Sequence, residues 1–153
     1  DGGAGHDNIT GSQADDIIIG GSGNDTMNGG LGNDSYYIGL GSGNDRIYDH
    51  QGNDNLAYEA GIEKEDLWFR RVGNDLLIDV FDDASQVRVG NWYSNDSNQL
   101  EEIMTATGDV LQNTQVDQLV QAMAAFTPSS SGELSLSAEE RNQIDSVIVA
   151  NWQ

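Results

Sequence analysis

Residues 20–37 read Gly20-Gly21-Ser22-Gly23-Asn24-Asp25-Thr26-Met27-Asn28 and then Gly29-Gly30-Leu31-Gly32-Asn33-Asp34-Ser35-Tyr36-Tyr37, two nine-residue units in succession. Each opens on paired glycines, keeps a third glycine two residues before an aspartate, and sets a large side chain two residues after it. The pattern extends both ways. Aspartates recur at nine-residue intervals as Asp7, Asp16, Asp25 and Asp34, and after one gap of eleven they resume at Asp45 and Asp54. Two residues after each stand Ile9, Ile18, Met27, Tyr36, Ile47 and Leu56, and two before stand Gly5, Ala14, Gly23, Gly32, Gly43 and Gly52. A flexible Gly/Asp linker has no reason to carry such an apolar period.

The period predicts a spiral. Each unit supplies a glycine-rich turn and about three residues of strand with one side chain pointing inward. Two units complete a flattened turn, so loops eighteen residues apart stack at roughly the 4.8 Å spacing of paired strands. Asp7 then lies beside Asp25 on one edge and Asp16 beside Asp34 on the other. Bare carboxylate ladders repel, and a hard dication that takes six to eight oxygens resolves the conflict. The expected side-chain ligands are Asp7, Asp16, Asp25, Asp34, Asp45 and Asp54. The expected carbonyl ligands are Gly3, Gly5, Ser12, Ala14, Gly20, Gly21, Ser22, Gly23, Gly29, Gly30, Leu31, Gly32, Ser42, Gly43 and Gln51. The second copy, Gly11 to Asp16, has lost glycines, which predicts a weaker site there. The extra pair near Ile38-Gly39 lengthens the intervals Asp25–Asp45 and Asp34–Asp54 to twenty residues, so the sites beyond it are less sharply specified.

Composition divides the chain. Residues 1–57 hold 14 of the 19 glycines and nine aspartates but no glutamate or tryptophan. Their apolar residues are too few for an ordinary core, so without a further ingredient this part is expected to be disordered. Residues 58–153 hold every glutamate and all three tryptophans. The whole chain of 153 residues carries 26 acidic against 6 basic residues, a net charge of -20. That charge disfavours nucleic acid and anionic membranes as partners and attracts cations. No cysteine is present, which removes disulfides and thiolate chemistry. No apolar run has the length of a membrane span, and the opening residues do not resemble a signal peptide. The opening Asp1-Gly2-Gly3 reads as cutting into a repeat array, so a fragment of a longer protein is expected.

Antiparallel strands are expected over residues 66–112. Residues 66–72 and 76–81 flank the turn Gly73-Asn74-Asp75, and residues 86–89, 102–105 and 110–111 read as further strands. Trp68, Phe69, Phe81, Trp92 and Tyr93 are the expected core of this flank, because large aromatics in a small sheet usually fill it. Thr114 with Asp117 reads as a helix start, followed by Val116, Leu119, Val120 and Met123 at helical spacing to about Phe126. Thr127 to Gly132 reads as a linker. Ser137 with Glu140 forms a capping box for a last helix bearing Ile144, Val147 and Ile148.

The repeats fit the pattern G-G-x-G-x-D-x-U-x of the repeats-in-toxin (RTX) family. Followed by a Gly-Asn-Asp hairpin and Asn91-Trp92-Tyr93, they resemble the final repeat block and flank of the RTX haemolysins and adenylate cyclase toxin, over about residues 1–125. The resemblance implies an all-β-dominated fold: a parallel β-roll (β-helix) holding calcium, four or more ions, capped by an antiparallel β flank and one or two C-terminal helices. The expected division is a roll at 1–57, a capping flank at 58–126, a linker at 127–132 and a C-terminal helix at 133–153, where a type I secretion signal would lie. By the same resemblance the chain is a calcium-triggered folding module at the C-terminus of a protein secreted from, or displayed on, a Gram-negative bacterium. Its expected partners are calcium and the type I secretion machinery, and it is expected to be monomeric.

Sharper chemistry finds little purchase. His6 and His50 are expected to be exposed loop histidines, and no HExxH, EF-hand or G-x-S-x-G pattern occurs. Arg70 and Arg71 read as a solvated strand face. No enzyme activity is expected of the chain itself. Two other functional classes share this pattern: a calcium-stabilised adhesin or glycan-binding module, and an accessory module of a secreted enzyme.

Overall fold

A computed structural model describes residues 1–126 and 136–153. The linker expected at 127–132 lies outside the described residues, as does the start of the expected C-terminal segment. Six short strands occupy the repeats: β1 (Asn8–Thr10), β2 (Ile17–Ile19), β3 (Thr26–Asn28), β4 (Ser35–Ile38), β5 (Asn44–Tyr48) and β6 (Asn55–Tyr58). Odd strands stack in one sheet and even strands in another. Within the repeats every pairing is parallel. Ile9 faces Met27 and Ile18 faces Tyr36 across eighteen residues, while Met27 faces Ile47 and Tyr36 faces Leu56 across twenty. The side chains expected to point inward do so. Ile18, Met27, Tyr36, Ile47 and Leu56 are buried, and only Ile9 is partly exposed.

Glycine is required where loops stack. Gly21 and Gly23 have φ of 97° and 135°, and a Cβ on either would strike the carbonyl of Gly3 or Gly5 in the neighbouring loop.

Beyond the repeats come β7 (Leu67–Val72), β8 (Asp75–Val80), β9 (Gln86–Val89), β10 (Glu102–Met104) and β11 (Val110–Gln112), then α1 (Asn113–Ala124) and α2 (Ala138–Asn151). β7, β8 and β9 form the expected antiparallel meander, as do β10 and β11. One expectation needs correction. The strands of residues 66–112 are not antiparallel throughout: β9 pairs in parallel with β5, and β10 in parallel with β6. The two sheets are therefore mixed, running β1-β3-β5-β9-β8-β7 and β11-β10-β6-β4-β2. Alternation along a strand fixes which face is buried but carries no information on the direction of its neighbour. The edges of β5 and β6 supply the physical reason, since each leaves backbone groups that the next strand must pair.

The apolar core is thickest in the flank. Trp68, Phe69, Ile78, Val87, Val89, Trp92, Ile103 and Leu111 are buried, and the sheet is covered by Val116, Leu119 and Met123 of α1. The second helix packs here rather than lying free. Ile144, Ile148 and Trp152 are buried, Trp152 meets Phe69 edge-on with ring centroids 6.4 Å apart, and Gln153 exchanges two 2.9 Å backbone bonds with Val110. Ser137 caps α2 in the expected box with Glu140. α1 instead starts one residue before Thr114, with Gln112 and Gln115 forming its box. Phe81 and Tyr93 sit partly buried at the edge of the core. Phe81 lies edge-on to Trp68 at 5.7 Å, and the Arg71 guanidinium stacks 4.2 Å over the Tyr93 ring. Arg70 is paired with Asp79 at 2.7 Å. No described helix is long and apolar enough to cross a membrane.

Candidate metal centre

The parallel stacking places the repeat aspartates in two ladders. On one edge Asp7, Asp25 and Asp45 follow one another, and on the other Asp16, Asp34 and Asp54. In each step one carboxylate oxygen accepts the backbone N–H of the aspartate one turn earlier. Asp25 Oδ1 accepts from Asp7 at 2.8 Å, Asp34 Oδ1 from Asp16 at 2.8 Å, Asp45 Oδ1 from Asp25 at 2.9 Å and Asp54 Oδ1 from Asp34 at 2.8 Å. The two-residue insertion does not interrupt either ladder.

The second oxygen is the informative one. Oδ2 of Asp7, Asp25, Asp34 and Asp45 is buried with no hydrogen-bond partner among the described residues. An orphaned buried carboxylate oxygen costs several kcal/mol in general and calls for a counter-charge. The four ion pairs of the described residues all lie in the flank and α2, so no basic side chain supplies that charge. Asp16 differs, because its Oδ2 accepts the Ser12 N–H at 2.6 Å. Burial pushes the Asp34, Asp45 and Asp49 carboxyls above the usual carboxylate range, and raises Asp54 to about 7. Burial without a countercharge is the common cause.

The expected carbonyl ligands divide into two groups. Those of Gly3, Ser12, Ser22, Ser42 and Gly43 each accept an N–H from a stacked segment, leaving one lone pair apiece. Those of Gly5, Ala14, Gly20, Gly21, Gly23, Gly29, Gly30, Leu31, Gly32 and Gln51 accept no such bond among the described residues. Hard carboxylate and carbonyl oxygens at stacked loops, with orphaned charge between them, are the donor set that suits calcium.

Three features escaped the sequence reading. A second ladder precedes the aspartates: Asn24 Oδ1 accepts from the Asn44 N–H at 2.9 Å, Asn33 Oδ1 from Asn53 at 2.8 Å, Asp15 Oδ1 from Asn33 at 2.8 Å, and His6 Nδ1 from Asn24 at 2.8 Å. The recurrence of asparagine just before aspartate was the available signal, and it assigns exposed His6 a structural role. His50, also exposed, meets Asn98 at 3.1 Å. Glu101 is the second feature. Its Oε2 accepts the Asp54 N–H at 2.8 Å, continuing the ladder with a flank residue as though a further repeat aspartate stood there. Nothing in its local sequence marks it. The third is Asp49, whose carboxylate lies with those of Asp34 and Asp54, oxygens within 4.8 Å of one another.

Residues 1–36 and 41–62 match the family model of the RTX calcium-binding nonapeptide repeat, described as 4 copies. Over these residues the chain is similar to RTX calcium-binding repeats. The break in the match, residues 37–40, coincides with the inserted pair, and the match runs to residue 62, five residues into the flank. The chain is thus similar to the calcium-binding RTX repeats over 58 of its 153 residues. The RTX repeat is a structural unit, and here its two edges carry the carboxylates while its interior carries the small apolar core.

Proposed function

We propose that calcium is the ingredient that lets residues 1–57 fold, as a parallel β-roll, with Asp7, Asp16, Asp25, Asp34, Asp45 and Asp54 as its side-chain ligands. The observation that carries this reading is the set of four buried, partnerless Oδ2 atoms on Asp7, Asp25, Asp34 and Asp45. Without a cation they oppose the compact state, and with one they become its fastening. Extracellular calcium modules have Kd of about 10⁻⁴–10⁻³ M. At roughly 2–20 times Kd, binding adds about 0.6–1.8 kcal/mol per site. Four sites then contribute a few kcal/mol, comparable to the net stability of a small domain.

The resemblance supports a wider setting. The roll at 1–57 and flank at 58–126 act as the C-terminal module of a secreted Gram-negative protein. It crosses a type I channel unfolded, where calcium is scarce, and folds as a monomer outside. The segment 133–153 holds the position of the secretion signal. The flank, with its independent apolar core, forms first and offers the edges of β9 and β10 to the last turn. In quasi-one-dimensional stacks each turn needs a formed neighbour, so the turns assemble toward the N-terminus.

Hydrogen exchange with far-UV circular dichroism tests this. In chelator, amides of residues 8–58 are expected to exchange freely while those of β7 to β9 stay protected. Millimolar calcium restores protection and β-signal, and equal magnesium does not, since magnesium demands a tighter octahedron. Full protection of the repeats in chelator would sink the folding switch. Equal folding in magnesium would reduce it to charge screening.

A further inference from the structure

The sixth repeat loop, Asp49-His50-Gln51-Gly52-Asn53-Asp54, breaks the pattern at its first position. The loops stacked with it on that edge begin with Gly11 and Gly29, and there a Cβ would run into the ladder carboxylate of its own loop, Asp16 or Asp34. The first position thus points at the ladder. Asp49 fills that space with a third carboxylate, itself 1% exposed. Asp34, Asp49 and Asp54 form the one group of three such side chains among the described residues, and all three are buried. Within it Asp34, 0% exposed, directs an Oδ2 that has no partner among the described residues.

Tyr36 holds the third carboxylate in place. Repeat four carries tyrosine where the other repeats carry isoleucine, methionine or leucine. Its hydroxyl accepts the Gly29 N–H at 2.6 Å and donates to Asp49 Oδ2 at 2.6 Å. The other oxygen, Oδ1, accepts the His50 N–H at 2.7 Å. Each carboxylate oxygen retains a free lone pair.

We propose that Asp49 is a third carboxylate ligand at the Asp34–Asp54 edge, and that this site fills first when the chain meets calcium. The proposal rests on the ladder reading and adds which site leads. The number of charged ligands is a main lever on calcium affinity in oxygen cages. Three carboxylates converge here, whereas the other edge offers the ladder aspartates alone. The leading site also lies in the last turn, against Glu101 and the flank.

Calorimetric titration of the full chain with calcium chloride tests this. The wild type is expected to show a tight class of about one ion, resolved from a weaker class. Asp49→Asn keeps an acceptor for the Tyr36 hydroxyl but removes the charge, and is expected to weaken the tight class by about tenfold or more while sparing the weaker one. Tyr36→Phe removes the hydroxyl but leaves the carboxylate, and is expected to keep a tight class. Asp45→Asn, on the opposite edge, is expected to alter only the weaker class, which keeps the question open to test even if Asp49→Asn folds poorly. A single class of equal sites in the wild type overturns the proposal and leaves the ladder reading standing. So does an unaltered tight class in Asp49→Asn, an equal loss in Tyr36→Phe, or loss of the tight class in Asp45→Asn. No calcium heat in the wild type overturns the ladder reading, and this proposal with it.

Discussion

The repeats and the flank solve the same problem with opposite materials. Both present strands to the same two sheets. The flank buries Trp68, Phe69, Trp92 and Leu111 against two helices and pairs its charges at its surface, as in Arg70 with Asp79 and Arg88 with Asp75 at 2.6 Å. The repeats bury a thinner core, one apolar side chain in β2 and β3 and two or three in β4 and β6, and line both edges with buried carboxylates that have no partner among the described residues. On the proposed reading, one region carries its stability in its sequence and the other borrows it from the medium. A shared sheet would then not imply a shared folding condition.

Core truncations probe that contrast most strongly. Phe69→Ala is expected to cost about 3–5 kcal/mol, with or without calcium, as read from chemical unfolding of the flank. Met27→Ala, equally buried but in the repeats, is expected to cost about 2–5 kcal/mol in calcium and nothing measurable in chelator. Equal penalties for Met27→Ala in both media would erase the distinction. At the junction the effect is smaller. Glu101→Ala removes the acceptor for the Asp54 N–H, and is expected to lower stability in calcium by about 1.5–3 kcal/mol, with the loss confined to repeat amides in hydrogen exchange.

The smallest effect is that of pH. Burial raises Asp54 to about 7 in the folded state, above its ordinary value. A raised folded pKa stabilises the fold at low pH, and that contribution is lost as pH rises through about 7. In calcium-free buffer the repeats are thus expected to gain β-signal on acidification from about pH 8 to about pH 5.5. In the same window protons compete with the ion, so the calcium midpoint is expected to rise. The flank signal is expected to stay level.

The legibility of the chain follows the same boundary. The nine-residue interval announced both aspartate ladders and one inward side chain per repeat from Ile9 to Leu56, because periodic sequence maps onto periodic geometry, but it did not announce the buried Ile38. The flank strands and both helices were readable from alternation and caps. The parallel joins of β9 and β10 were not, since pairing direction depends on which edge is left open elsewhere. Glu101 and Asp49 were illegible for a related reason. Each acts through a position in space that the fold creates, forty-seven residues from Asp54 in one case and against Tyr36 of another repeat in the other.

The opposed ladders also determine how the spiral keeps count. An aspartate carboxylate reaches back to the turn before, while the asparagine beside it receives the amide of the turn after. Each loop is addressed by such a pair, Asn-Asp in the last four repeats and His6-Asp7 or Asp15-Asp16 in the first two. Length between addresses is left free, which is why intervals of eighteen and twenty residues coexist without a slip in register. A lesion is accordingly expected to be tolerated as an insertion at a corner such as Gly39-Leu40, and to be felt two turns at once as a substitution at an address.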